Sequence, residues 1–308
     1  MKAIWILFVV ALLATGGVGY WIATQQPQSE GEIASDASDE KTTIHVDVTP
    51  TAIPIGDGHL STEPKVGYVF SCQTQFRGRG PALPAPWIDV ANGTWNPQAK
   101  PVVDGAVLWP NAQFQINETN GTRDLVGNGL PVDDLTGVFP IQPTDDAYQY
   151  DRNPNEILLQ QVMVSLPLDP EVAASPTCVG MGVIGYALNG VAMYNALDAA
   201  GLDGAAREIQ DACHGHPQSQ GQYHYHNFSP CLLDDPATEP TLIGYAFDGY
   251  GIYKYPDRMT NADLDECHGK TGEILWDGKT VSMYHYVVTD EYPYTIGCFK
   301  GTPVRAGR

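Results

Sequence analysis

Positive charge is scarce in this chain of 308 residues: 16 Lys and Arg stand against 36 Asp and Glu, a formal net charge of -20. A nucleic-acid binder needs a basic footprint, and no Lys/Arg cluster occurs anywhere. The same scarcity argues against docking to anionic lipid through a basic patch. Several short catalytic signatures are also missing. There is no His-Glu-x-x-His, no Gly-x-x-x-x-Gly-Lys and no Gly-x-Ser-x-Gly. A zincin helix, a phosphate-cradling loop and a nucleophile elbow are thereby set aside. With no Cys-x-x-Cys either, the usual thiolate zinc site has no support.

What the chain does have begins at its first residues. After Lys2, residues 3–24 carry no charge and are largely apolar. That pattern is a cleaved secretory signal or an uncleaved anchor with Lys2 on the cytoplasmic side. Either places the remainder outside the cytoplasm: periplasmic, secreted or membrane-anchored, with the membrane touched only through this segment. Residues 25–62 are acidic (Glu30, Glu32, Asp36, Asp39, Glu40) and short of aromatics, the composition of a disordered tether. Residues 63–308 are then one domain, with material enough for a core of its own.

Six cysteines remain, Cys72, Cys178, Cys213, Cys231, Cys267 and Cys298, and an even number in an exported chain suggests three disulfides. An internal repeat narrows the pairing. Ile184-Gly185-Tyr186-Ala187-Leu188-Asn189-Gly190 reappears as Ile243-Gly244-Tyr245-Ala246-Phe247-Asp248-Gly249. Asp211-Ala212-Cys213-His214-Gly215 reappears as Asp265-Glu266-Cys267-His268-Gly269, and Tyr223-His224-Tyr225-His226 as Tyr284-His285-Tyr286-Val287. A cysteine closes each unit. The units run over about 180–234 and 239–300. Two copies are too few for a solenoid and suggest a pseudo-symmetric pair around a shared core. Equivalent cysteines should pair equivalently, which predicts Cys213–Cys231, Cys267–Cys298 and, by remainder, Cys72–Cys178. Pairing swapped between the units is the rival, and thiolate metal ligation the third possibility.

Gly 32 and Pro 24 favour strands and loops over long helices. The run from Glu156 to Leu166 reads as a strand, as does each Ile-Gly-Tyr-Ala segment, with the following Asn-Gly or Asp-Gly as a hairpin turn. One helix is expected at about 204–212. The fold class is mainly β, at most α+β: a disulfide-stapled tandem repeat of short strands and long loops. Residues 71–120, rich in Trp, Pro and Gly, read as a covering layer of strands.

Six of the eight histidines lie in the repeat. On a strand, His224 and His226 share one face and Tyr223 and Tyr225 the other. Two imidazoles so spaced suit a transition metal. His214 and His216 offer a second pair, and these four are the expected ligands of zinc or copper. His268 and His285 are weaker candidates, because the second unit has Lys270 and Val287 where the first has His216 and His226. Asp248 is the best carboxylate for a catalytic role, against an ordinary turn aspartate.

The Tyr223-His224-Tyr225-His226 run, with Gly127-Asn128-Gly129-Leu130-Pro131, Arg152-Asn153-Pro154-Asn155 and Tyr292-Pro293-Tyr294-Thr295-Ile296-Gly297-Cys298, resembles the YHYH domain family. The resemblance covers roughly residue 125 to the end and departs from the pattern at Val287. It implies family membership and an exported setting, and names no activity. The leading expectation is therefore an exported metal-binding protein, with a metal-bound water as nucleophile if it is catalytic. The alternatives are a metal-free module holding a small ligand, glycan or peptide in an aromatic cleft of Tyr223, Tyr225, Tyr245 and Tyr250, and a structural surface domain.

Overall fold

The computed structural model describes residues 50–78, 80 and 85–304. The expected signal or anchor at 3–24 and most of the expected linker lie outside these residues. Among the described residues no helix is long and apolar enough to cross a membrane. Ordered structure begins earlier than the composition indicated. Ile53–Pro54 pairs with Thr94–Trp95, and Ile53 is buried. Two-residue strands are too short to show a period, so these residues carry no pattern that separates them from a linker.

The protein is mainly β. Three strands, β1 (Phe114–Thr119), β2 (Thr122–Gly127) and β3 (Val162–Pro167), form an antiparallel sheet in the order β3-β2-β1. The largest sheet has eight strands. Its members are β4 (Val183–Ala187), β5 (Ala192–Tyr194), β6 (Gly215–Pro217), β7 (Tyr223–Tyr225), β8 (Thr241–Ala246), β9 (Gly251–Lys254), β10 (Gly269–Trp276) and β11 (Lys279–Val287). Their order across the sheet is β6-β7-β5-β4-β8-β9-β11-β10. β4 and β8 lie antiparallel at the centre, with Tyr186 opposite Tyr245. Outward from each, the pairing is antiparallel to the hairpin partner, parallel to the next strand, then antiparallel at the edge.

The central pair explains its glycines. A Cβ on Gly185 would lie 2.4 Å from the Tyr245 carbonyl oxygen, and one on Gly244 would lie 2.6 Å from that of Tyr186. Only a residue without a side chain allows that approach. The hairpins differ in detail from the two-residue turns that Asn-Gly and Asp-Gly suggest. Gly190 donates to the Ala187 carbonyl while Ala187 donates to Val191, and Ala246, Gly249 and Tyr250 repeat this. Only the glycines take positive φ, 86° and 91°. Each is a three-residue loop: a type I turn closed by a left-handed glycine.

Three disulfides staple the frame: Cys72–Cys178, Cys213–Cys231 and Cys267–Cys298. They suit an oxidising compartment outside the cytoplasm. Between the sheets, the guanidinium of fully buried Arg123 packs over Tyr245 and Trp276 and pairs with Glu118 and Asp277. It ties β2 to the β10 edge with its charge matched, as a buried arginine requires. The expected helix is a single turn, α1 (Gly204–Arg207), capped by the Asp203 side chain accepting from the Ala206 amide. Trp87 donates its indole N–H to the Ala206 carbonyl, and Lys100 donates to that of Ala205. The segment around 87–100 thus covers this turn, and the turn sets down Glu208.

Candidate metal centre

The alternation in Tyr223-His224-Tyr225-His226 divides labour between the two faces of β7. On one face the tyrosines lock turns. Tyr223 donates its hydroxyl to Asp211, and Tyr225 accepts from the Asn189 amide. Asp211 in turn accepts from the amides of Cys213 and Gly215 and so holds the loop entering β6. On the other face His224 stands directly across from His216 on β6. His226 follows on the same side, its Nε2 3.2 Å from that of His224. All three imidazoles are buried, and their candidate ligand atoms lie within 4.8 Å of one another. Among the described residues this trio is the one group of three or more such side chains able to hold a metal ion.

Hydrogen bonding assigns the tautomers. His224 Nδ1 faces the Gln222 carbonyl at 3.0 Å and His226 Nδ1 faces that of Asn195 at 2.6 Å. A carbonyl only accepts, so both Nδ1 atoms carry the proton. In the neutral rings each Nε2 then presents a lone pair, and the two Nε2 atoms point toward each other. Glu208 adds a carboxylate oxygen 3.0 Å from His226 Nε2 and 3.5 Å from His216 Nε2. Neither ring nitrogen of His216 has a hydrogen-bond partner. Lone pairs and a carboxylate gathered in a buried space repel unless a proton or a cation lies among them. Ligand atoms around a tetrahedral zinc with bonds of ~2.0–2.1 Å stand ~3.3 Å apart, and the separations of 3.0, 3.2 and 3.5 Å bracket that figure.

The titration behaviour has the same origin. Burial, and then the neighbouring histidines, hold the pKa values of His216 and His224 well below the ordinary value. Burial pulls His226 the same way, but the hydrogen bond and charge of Glu208 outweigh it and raise its pKa. Two neutral imidazoles beside a third that attracts positive charge make a set ready for a cation.

Of the four histidines expected to act together, His214 stands apart. Its φ of 60° puts it in the turn before β6, with Nδ1 on the Phe228 carbonyl. The alternation that would align it with His216 starts only at Gly215, where the strand begins. His268 takes the same conformation, φ 68°, and its Nε2 bonds Thr289. His285 is held between the Met283 carbonyl and the Tyr255 hydroxyl. Asp248 accepts from Tyr286 and from the Gly301 amide at its turn. Tyr223, Tyr225, Tyr245 and Tyr250 are all buried, so none offers an open ring face to a glycan or peptide.

Glu208 is the residue that sequence reasoning missed. It sat in the expected helix with no signal of its own, since its partners lie 8 to 18 positions on in sequence. Beside the trio opens a cavity of about 370 Å³. Tyr194 stacks on His224 at its wall, with ring centroids 3.8 Å apart.

Residues 163–262 match the YHYH protein family model. The matched segment holds Glu208 and all three imidazoles of the centre. No curated protein and no solved structure matches the chain.

Proposed function

We propose that this is an exported metal-binding protein of the YHYH type, holding one zinc or copper ion on His216, His224, His226 and Glu208. One observation carries the reading. Two buried imidazole Nε2 atoms face each other at 3.2 Å with a solvent-shielded Glu208 carboxylate oxygen 3.0 Å from one of them. Three imidazoles and a carboxylate, without thiolate, are a donor set for zinc or copper(II) rather than for calcium or copper(I). The Nδ1–H bonds to Gln222 and Asn195 orient His224 and His226, as outer partners do in metal sites. A metal held there with a coordination position left open to the cavity would supply Lewis acidity and lower the pKa of a bound water. The adjoining cavity is where a substrate would meet it. Export is supported by the uncharged stretch at 3–24 and the three disulfides.

A proton on His226, paired with Glu208, is the competing way to relieve the same repulsion. Metal content decides between them. The chain, made without a histidine tag in an oxidising compartment, is read for zinc, copper, nickel and iron by mass spectrometry. Near one equivalent is expected, lost in the folded His224→Ala/His226→Ala variant. No metal after incubation with excess zinc or copper would leave the protonated pair as the account of the site.

A further inference from the structure

The cavity beside the trio contains one more buried group without a partner. Asp198 is 1% exposed. Its Oδ1 accepts from the amides of Ala200 and Leu202, while its buried Oδ2 accepts from nothing. Asp198 lines the same cavity as Glu208 and the three histidines. Asp151 is a further carboxylate of that lining, and among the described lining residues there is no Lys or Arg. The guanidinium of Arg207 is held by Asp57 through both Nε and a terminal nitrogen. The ammonium of Lys100 is bonded to Ala205 and Gln210.

We infer that this cavity binds a small organic cation, a primary ammonium on a hydroxyl-bearing body, with the ammonium donating to Asp198 Oδ2. The inference rests on the metal reading of the trio, because it counts that ion among the charges present. Even with a divalent ion seated, Asp198 keeps a buried carboxylate oxygen with no donor, and a buried charge of that kind is costly until it is paired. A neutral hydroxyl would satisfy the hydrogen bond but not the charge, and an anion seated against Asp198 and Asp151 would meet like charge. A second metal ion lacks a shell here: neither Asp151 nor Asp198 joins a group of three or more closely set ligand atoms. The remaining wall supplies polar contacts for hydroxyls through Asn155 and Gln218. The volume, about 370 Å³, is at the small end for ligand pockets, ~300–1,000 Å³.

Three sugars of one ring size separate these possibilities by charge. Glucosamine, glucose and glucuronic acid are titrated into the metal-loaded chain by calorimetry, and metal content is read on the same samples. Glucosamine is expected to bind roughly 10-fold or more tightly than glucose, with glucuronic acid the weakest. Asp198→Asn keeps an acceptor for Ala200 and Leu202, and it is expected to erase the preference for the amine. Glucose or glucuronic acid binding as well as glucosamine would overturn the proposal. So would heat from none of the three, or an unchanged preference in folded Asp198→Asn. If that variant does not fold, the order of the three sugars on the unaltered chain still decides. Full metal with no amine preference sinks this inference alone, and an Asp198-dependent preference in a metal-free chain sinks the metal reading instead.

Discussion

The centre rests on individual side chains whose roles can be separated. Glu208→Gln keeps the shape but removes the negative charge from the ligand set. Metal affinity should fall at least ~10-fold, in the range seen when a supporting group of a metal site is lost. His214→Ala should leave stoichiometry unchanged, because His214 bonds Phe228 and Asn227 outside the trio. Chelator competition with both variants checks the pair, and a loss of metal in His214→Ala would return that residue to the site. His268 offers a different test. Burial pushes its pKa down to about 3. The folded chain therefore keeps it neutral while the unfolded chain takes up a proton below the ordinary value of ~6.5. Its contribution is intact above that value and is lost as the pH falls toward 3, at up to ~1.4 kcal/mol per unit. His268→Gln preserves a donor for Thr289. It should be relatively less penalised by acid, by ~2–3 kcal/mol between pH 6.5 and 4.5, as read by urea denaturation. Parallel pH slopes in the two proteins would refute the assignment.

Among the elements, the loop closed by Cys213–Cys231 matters most. The bridge spans 18 positions and encloses β6 and β7, and with them all three imidazoles of the centre. Opening it frees both strands from one end. The chain-entropy account gives ~3 kcal/mol for a loop of this size, and the strands carrying the ligands bear the change directly. A Cys213→Ser/Cys231→Ser variant should lose stability by about that amount and bind metal more weakly. Cys267–Cys298, on the other unit, should cost comparable stability when opened and leave metal affinity nearly unchanged once the protein is folded. Melting temperature and metal titration of the two variants, side by side, test the distinction. Equal loss of affinity in both would mean that the bridges act through global stability.

For the molecule as a whole, the sequence of the second unit limits the metal count. Position 270 is Lys where the first unit has His216, position 287 is Val where it has His226, and Ala262 stands where Glu208 would be. One ion per chain is expected. Metal that binds only the folded state adds ~2.7 kcal/mol at a hundredfold excess over its Kd, or roughly 5–10 °C in Tm for a domain of this size. Calorimetry with and without a chelator measures this, and an unchanged Tm would mean that the folded state has no tight site.

The sequence by itself determined whatever depends on neighbouring residues or on comparing one stretch with another. The mainly β class follows from short strands broken by glycine and proline. The disulfide pairing seen in the structure is the one that the shared cysteine order of the two units favoured over a swapped pairing. The shared face of His224 and His226 is a consequence of strand alternation, which needs no knowledge of the fold. Only the tertiary structure decided which groups far apart along the chain meet. It brought Glu208, just past α1, to the histidines of β6 and β7, removed His214 through a left-handed turn, and turned the four tyrosines inward onto Asp211, Asn189, Arg123 and Tyr284. It also left Asp198, in the wall of a cavity, with its buried Oδ2 without a partner. The reason is physical. Local pattern reports the direction of a side chain relative to its own strand, while ligation and charge pairing depend on distances of about 3 Å between segments that only the packed sheet brings together.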